Sequence, residues 1–435
     1  MIESIKKIFK KEYYKGLFKK KVVKDFSAVA GLDIALKPIQ LVKSFIVAKY
    51  LGPAEYGLLA TVQLITMLNK YGSLGFNNAA SREVGNAIGK RDFEKVELIK
   101  STAYSSELIL SCILFIVGLT SSLFVDSRVV SVLIVLASAG LLMAKVRAIL
   151  ATEAAINKRF ILTSKITFIS SLIGSLIIIV TVPFLKIYAV LLTNIFISIL
   201  AIIFFRKYLN FRFSFKINLA ELKRILSISI PLTIGTLAQG SFKYAERILI
   251  ISFLSTEVLG YFSFGVTIVG TFSQVLKVGI RVRIQDIYEG LGKYQYKRIH
   301  GLVLKETLLL TLFSAIMIPI VWILLDIFVP IFLEKWSNGV FSAQLYLFML
   351  PFEILLLYPG TVLTSALVNK QNIIPFLRFG ITGILVLSTL VLNYMNVLTI
   401  NNFIVLNVLC IALYNIAILI MYKIYFYNKY VVCQN

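Results

Sequence analysis

Residues 379–422 read FGITGILVLSTLVLNYMNVLTINNFIVLNVLCIALYNIAILIMY, 44 consecutive positions without Asp, Glu, Lys or Arg. A helix rises about 1.5 Å per residue, so about 20 apolar residues cross the hydrocarbon of a bilayer. The stretch is too long for one crossing. It fits two, folded around the polar positions Asn393, Asn396, Asn401 and Asn402, and so reads as a helical hairpin in a membrane.

Working outward, uncharged runs of span length recur at 108–125, 166–185, 187–205, 225–242, 258–276 and 307–325, the last extending toward Phe332. Less clean spans lie at about 27–50, 56–80, 128–149 and 340–368. The chain thus reads as an all-α integral membrane protein of about 12 transmembrane helices. Its composition agrees, because 58% apolar and only 15% charged residues over 435 positions exclude a soluble domain.

Orientation follows from Lys and Arg, which accumulate in loops that stay in the cytoplasm. With the N-terminus inside, 36 of the 45 basic residues fall on the cytoplasmic side. The outer loops hold Lys49, Arg128, Lys186 and Lys335. A miscounted span would scramble this alternation, so both termini are expected in the cytoplasm. The net charge of +24 is then a topology signal and an attraction to anionic lipid, not a nucleic-acid footprint. Residues 1–25 form a basic segment with aromatics at loosely helical spacing, read as an amphipathic surface helix and not a cleaved leader.

Five basic residues remain, Lys37, Lys43, Lys70, Lys243 and Arg247, all within spans. A charge at that depth costs ~2.5 kcal/mol or more, so several of them point to a polar pathway and an anionic cargo. Asp33 lies four residues before Lys37 and Glu246 three after Lys243, and both are candidate charge partners. Lys43 has no acid three or four positions away. Lys277 and Arg281 fall near the inner end of the eighth span, as inner-gate or interfacial cations. Pro38 is expected to kink the first span and free backbone groups toward a wet interior.

Other motifs carry no chemistry. Cys112, Cys410 and Cys433 are far apart, and no metal site is expected. His300 is read as a solvated loop residue. Gly85, Gly89, Lys90 and Arg91 miss the spacing and the Ser or Thr of a phosphate-binding loop, so no nucleotide cofactor is expected and the chain is not read as an enzyme.

An internal repeat organises the chain. Residues 48–57 (AKYLGPAEYG) lie over 251–260 at an offset of 203, with Leu51 on Leu254 and Gly57 on Gly260. The same offset lays Gly89 and Lys90 on Gly292 and Lys293. Asn157 and Lys158 match Asn369 and Lys370 at an offset of 212, the nine extra residues falling near Glu334 to Ser342. The expected organisation is a six-helix bundle at 26–206, a cytoplasmic linker at 207–224, a second bundle at 225–424 and a cytoplasmic tail at 425–435.

The segment Tyr50-Leu51-Gly52-Pro53-Ala54-Glu55-Tyr56-Gly57, the basic loop after the second span and the entry Leu222-Lys223-Arg224-Ile225-Leu226-Ser227-Ile228-Ser229-Ile230-Pro231-Leu232 resemble Wzx-type polysaccharide flippases. These belong to the multidrug/oligosaccharidyl-lipid/polysaccharide exporter superfamily. The resemblance implies two pseudo-symmetric six-helix bundles around a central cavity lined by spans one, two, seven and eight, working by alternating access. It further implies undecaprenyl-pyrophosphate-linked oligosaccharide as cargo, as in O-antigen, lipopolysaccharide or capsule assembly, at the bacterial inner membrane beside other assembly proteins. Lys37, Lys43, Lys70, Lys243 and Arg247 would hold the pyrophosphate, Arg bidentately and Lys as a point charge. A drug or cation antiporter of the same superfamily would instead present carboxylates, and a lipid II flippase is a further alternative. A membrane-embedded glycosyltransferase would need a large outer loop, and every outer loop here is short.

Overall fold

The computed structural model describes residues 31–32, 35–65, 74–209, 211, 213–365, 367–368, 370 and 373–432, with backbone alone at Val275 and 278–286. Among them the helices group into twelve crossings. Residues 35–65 are helical except where Gly52 takes φ 69°, a left-handed turn open to glycine, which separates α1 (35–51) from α2a (53–65). Then follow α2b (Phe76–Gly89), α3 (Phe93–Ser122) and α4 (Arg128–Ile156). A continuous helical stretch, Phe160–Tyr208, reverses at Lys186 (φ 48°, ψ −127°), giving α5 (160–185) and α6 (187–208).

The second half holds α7 (Leu219–Phe253), α8 (Thr256–Gly292) and α9 (Tyr296–Phe332). After a short 3-10 turn, α10 runs in three pieces, α10a (Val340–Leu347), α10b (Met349–Leu355) and α10c (Leu357–Leu363). The anionless stretch at 379–422 is indeed a hairpin, α11 (Ile373–Tyr394) and α12 (Ile400–Tyr422), turning at Asn396 with φ 56°. Eight helical segments among the described residues are long and apolar enough to cross a membrane, one of them being the α5–α6 stretch.

Local sequence explains the ends. Asp92, Asn218, Ser255 and Thr399 each sit just before a helix and accept a hydrogen bond from the backbone N–H three residues on, satisfying a donor the helix leaves open. Residues on the outer face of α9, among them Ile316, Ile320, Ile323 and Ile327, are exposed, as lipid-facing positions of a span should be. Inside the first half, Lys145 pairs with the fully buried Glu107 at 3.1 Å, and Lys100 with Glu153 at 2.8 Å, tying α3 to α4.

The repeat is visible in the backbone. Arg91 and Tyr294, 203 residues apart, both take φ 59° after helices ending at Gly89 and Gly292, and the next helices start at Phe93 and Tyr296. The halves touch at both ends of the bundle. At one end α2a packs on the start of α8, and the Trp336 indole N–H donates to the Ala48 carbonyl at 3.0 Å. At the opposite end Arg224 of α7 pairs with Glu83 of α2b, and Gly75 lies against Ser229 and Thr233.

Candidate functional site

Between these two contacts lies a cavity of about 250 Å³. Its wall brings Lys43 and Ser44 of α1, Tyr56 and Gln63 of α2a, and Asn194 of α6 together with Arg247 of α7 and Ser263 and Thr267 of α8. Lys43 and Arg247, from opposite halves, therefore face one space. No carboxylate lines it, and among the described residues none pairs with Lys43. Tyr56 Oη stands 3.0 Å from Thr267 Oγ1, a hydrogen bond between the halves across the cavity wall.

One to three helical turns farther from the α2a–α8 contact comes a second tier of cations. Lys37 Nζ donates to Gln274 Oε1 of α8 at 2.5 Å and to Gln40 Oε1 at 3.3 Å. Lys243 Nζ lies 3.7 Å from Glu353 Oε1, while Lys277 Nζ donates to Glu353 Oε2 at 2.8 Å. The carboxylate beside Lys243 is thus Glu353 of α10b and not its helix neighbour. Glu246 instead turns into its own half, buried, and accepts a hydrogen bond from Asn407 at 2.7 Å. Its carboxylate stays within electrostatic reach of Lys243 and Arg247, while its hydrogen bond to Asn407 ties α7 to α12. Lys277, expected as a gate or interfacial cation, is drawn inward by Glu353. Asp33, Lys70 and the Arg281 side chain lie outside the described residues.

Two cations at this level escaped sequence reasoning. Arg147, counted among loop residues, belongs to α4, which continues to Ile156. It lines a cavity of about 200 Å³ with Asn194 and Ser198 of α6, and Asn194 also borders the larger cavity. Arg378, also assigned to a loop, lies in α11 with its guanidinium 4.8 Å from the ring centroids of both Phe242 and Tyr414. The signal for Arg147 was its place inside the span read at 128–149. For Arg378 there was none, because the rings that hold it come from other spans. His300 likewise departs from the solvated-loop reading, since it lies in α9 with its ring stacked on Tyr422 and Nδ1 3.2 Å from that hydroxyl. Among the described residues no cluster of His, Cys, Asp and Glu is suited to a metal ion.

The architecture has solved counterparts. A lipid II flippase, MurJ, in an inward closed conformation superposes with a TM-score of 0.69 at 11% identity, covering 91% of this chain and 87% of its own. A multidrug resistance MATE family transporter of the MOP superfamily, inward-facing, gives 0.61 at 13% identity, covering 91% and 98%. A MOP superfamily transporter from Pyrococcus furiosus, described as having a binding pocket of reverse polarity, gives 0.61 at 12% identity, covering 92% and 95%. At such identities the likeness is one of fold. No curated protein sequence matches the chain. The family model described as polysaccharide biosynthesis protein matches residues 22–282, more than half of the chain and the part that carries α1, α2, α7 and most of α8. With twelve crossings in two halves around a cavity, the chain is a multi-pass membrane protein with a MOP-superfamily transporter fold, and it belongs to the polysaccharide biosynthesis protein family.

Proposed function

We propose that the chain is a flippase that moves an undecaprenyl-pyrophosphate-linked oligosaccharide across the bacterial inner membrane by alternating access. The supporting observation is the meeting of Lys43 and Arg247, one from each half, on a cavity without a carboxylate. In a low-dielectric wall, such a pair favours a dianion over any cation. Arg247 offers a planar fork to phosphate oxygens and Lys43 a point charge. Because the two groups belong to different halves, a bound pyrophosphate would cross-link them, and movement of one half against the other would change which side the site faces. The isoprenoid tail stays in the bilayer while the sugars follow the wet path.

A drug or cation antiporter is disfavoured by the same cavity wall, which offers a cation no counter-charge. The fold likeness to a lipid II flippase supports a second reading in which the glycan is that of lipid II. The deciding experiment depletes the protein and locates the lipid-linked intermediates. Build-up of repeat units on the cytoplasmic leaflet is the expected result, accumulation of lipid II favours the second reading, and normal exposure of both on the outer leaflet rejects both. Charge-neutral Lys43→Gln and Arg247→Gln, folded and in the membrane, should reproduce the depletion.

A further inference from the structure

Glu353, on α10b, stands between Lys243 and Lys277. α10b is seven residues long, bounded by breaks at Phe348 and Leu356, with Pro351 inside it and Pro359 in the following piece. The three side chains are open to the polar interior, with Lys243 52%, Lys277 34% and Glu353 24% exposed.

The grip is uneven. Lys277 makes a short charge-assisted bond, whereas Lys243 stands at 3.7 Å, beyond hydrogen-bond range. Arg378 adds its field to theirs, so one carboxylate faces three cations. Lys37 closes the edge through Gln274, three residues before Lys277 on α8. A single carboxylate leaves such a cluster positive, and a group with two negative charges and more oxygens satisfies it better.

We propose that Lys243 and Lys277 form a second anion subsite, held in the empty protein by Glu353, whose carboxylate is displaced by a pyrophosphate oxyanion of the cargo. The proposal rests on the flippase reading for the identity of that cargo, but not for the existence of the subsite. Glu353 acts as a resident counter-anion. It offsets the repulsion between the two ammonium groups until a phosphate arrives, and its return later in the cycle helps expel the ligand. The subsite lies farther from the α2a–α8 contact than Lys43 and Arg247 do, so a headgroup entering from the opposite end meets it first.

The test uses the full-length protein in nanodiscs, with undecaprenyl pyrophosphate, undecaprenol and inorganic pyrophosphate as separate probes. Glu353→Gln should bind undecaprenyl pyrophosphate about tenfold more tightly than wild type, the equivalent of removing one competing charge-assisted contact. Its translocation should slow, because release loses its competitor. Undecaprenol should show no change. Glu353→Asp should restore competition, and Lys243→Gln with Lys277→Gln in the Glu353→Gln background should erase the gain. Unchanged or weaker binding by a Glu353→Gln protein that retains its melting temperature overturns the proposal and makes the triad a structural tie. Inorganic pyrophosphate separates this failure from that of the function. A gain with inorganic pyrophosphate supports the subsite even where undecaprenyl pyrophosphate does not bind, a result that would remove the flippase reading instead.

Discussion

Gly57 and Gly260 occupy the same place in the two halves, and each lies against the other half's backbone. A Cβ on Gly57 would stand 1.8 Å from the Thr256 carbonyl oxygen, and one on Gly260 would stand 2.0 Å from that of Pro53. Thr256 is itself the repeat position of Pro53, so the contact is reciprocal. The partner atoms are backbone, which no rotamer change can move aside. Gly57→Ala or Gly260→Ala should therefore separate α2a from α8 and open this end, at a cost of about 1–3 kcal/mol to the closed form. In a protein whose native cysteines are replaced, a cysteine at Ser263 should then label faster with an impermeant thiol reagent added at that face. Unaltered labelling would show that the crossing does not gate the cavity.

At Lys43 and Arg247 the expected effect is on binding and not on folding. Each neutralisation to Gln should weaken undecaprenyl pyrophosphate binding about tenfold or more, the worth of a charge-assisted hydrogen bond. Arg247→Lys should recover only part of this, since a point charge cannot make two parallel bonds. Titration of purified variants measures both, and equal affinities for Arg247→Lys and wild type would remove the bidentate role.

The Lys145–Glu107 pair predicts a different outcome. Glu107 is fully buried, so Glu107→Ala strands an ammonium group between α3 and α4 and should destabilise the first half by about 3–5 kcal/mol. Replacing both residues with Leu should recover most of that loss, because the desolvation of two charges disappears together. Thermal unfolding in detergent distinguishes the two. A double variant no more stable than the single one contradicts the argument.

Trp336 offers a smaller perturbation. Its indole N–H donates to Ala48 while its ring packs against Tyr56, Tyr261 and Phe264. Trp336→Phe keeps an aromatic body but leaves a buried carbonyl without this donor, at about 1–3 kcal/mol. The same cysteine-labelling assay should detect freer opening, less than with Gly57→Ala.

Much of this architecture is legible in the sequence. Charge-free runs mark spans because a bilayer rejects unpaired charge, and the Gly-Lys pair at 89–90 and 292–293 marks helix ends because the chain must turn there. Lys43 and Arg247 stood out for lying within spans, and they share a cavity. What the sequence hid was a partner from another span. Glu246 is near Lys243 in sequence but its carboxylate is buried against Asn407, whereas Glu353 reaches Lys277 from 76 residues away on another span. Arg147 was misplaced because it was counted with the basic loop that follows, although the span read at 128–149 contains it.

The nine residues by which the second half exceeds the first fall around Trp336 and Lys335. Lys335 lies over the left-handed turn at Gly52, and Trp336 fastens Ala48. The bolt across this doorway is therefore fitted to one leaf only. Shortening it would loosen one resting posture of the carrier while leaving the paired helices, and the cation tiers between them, in place.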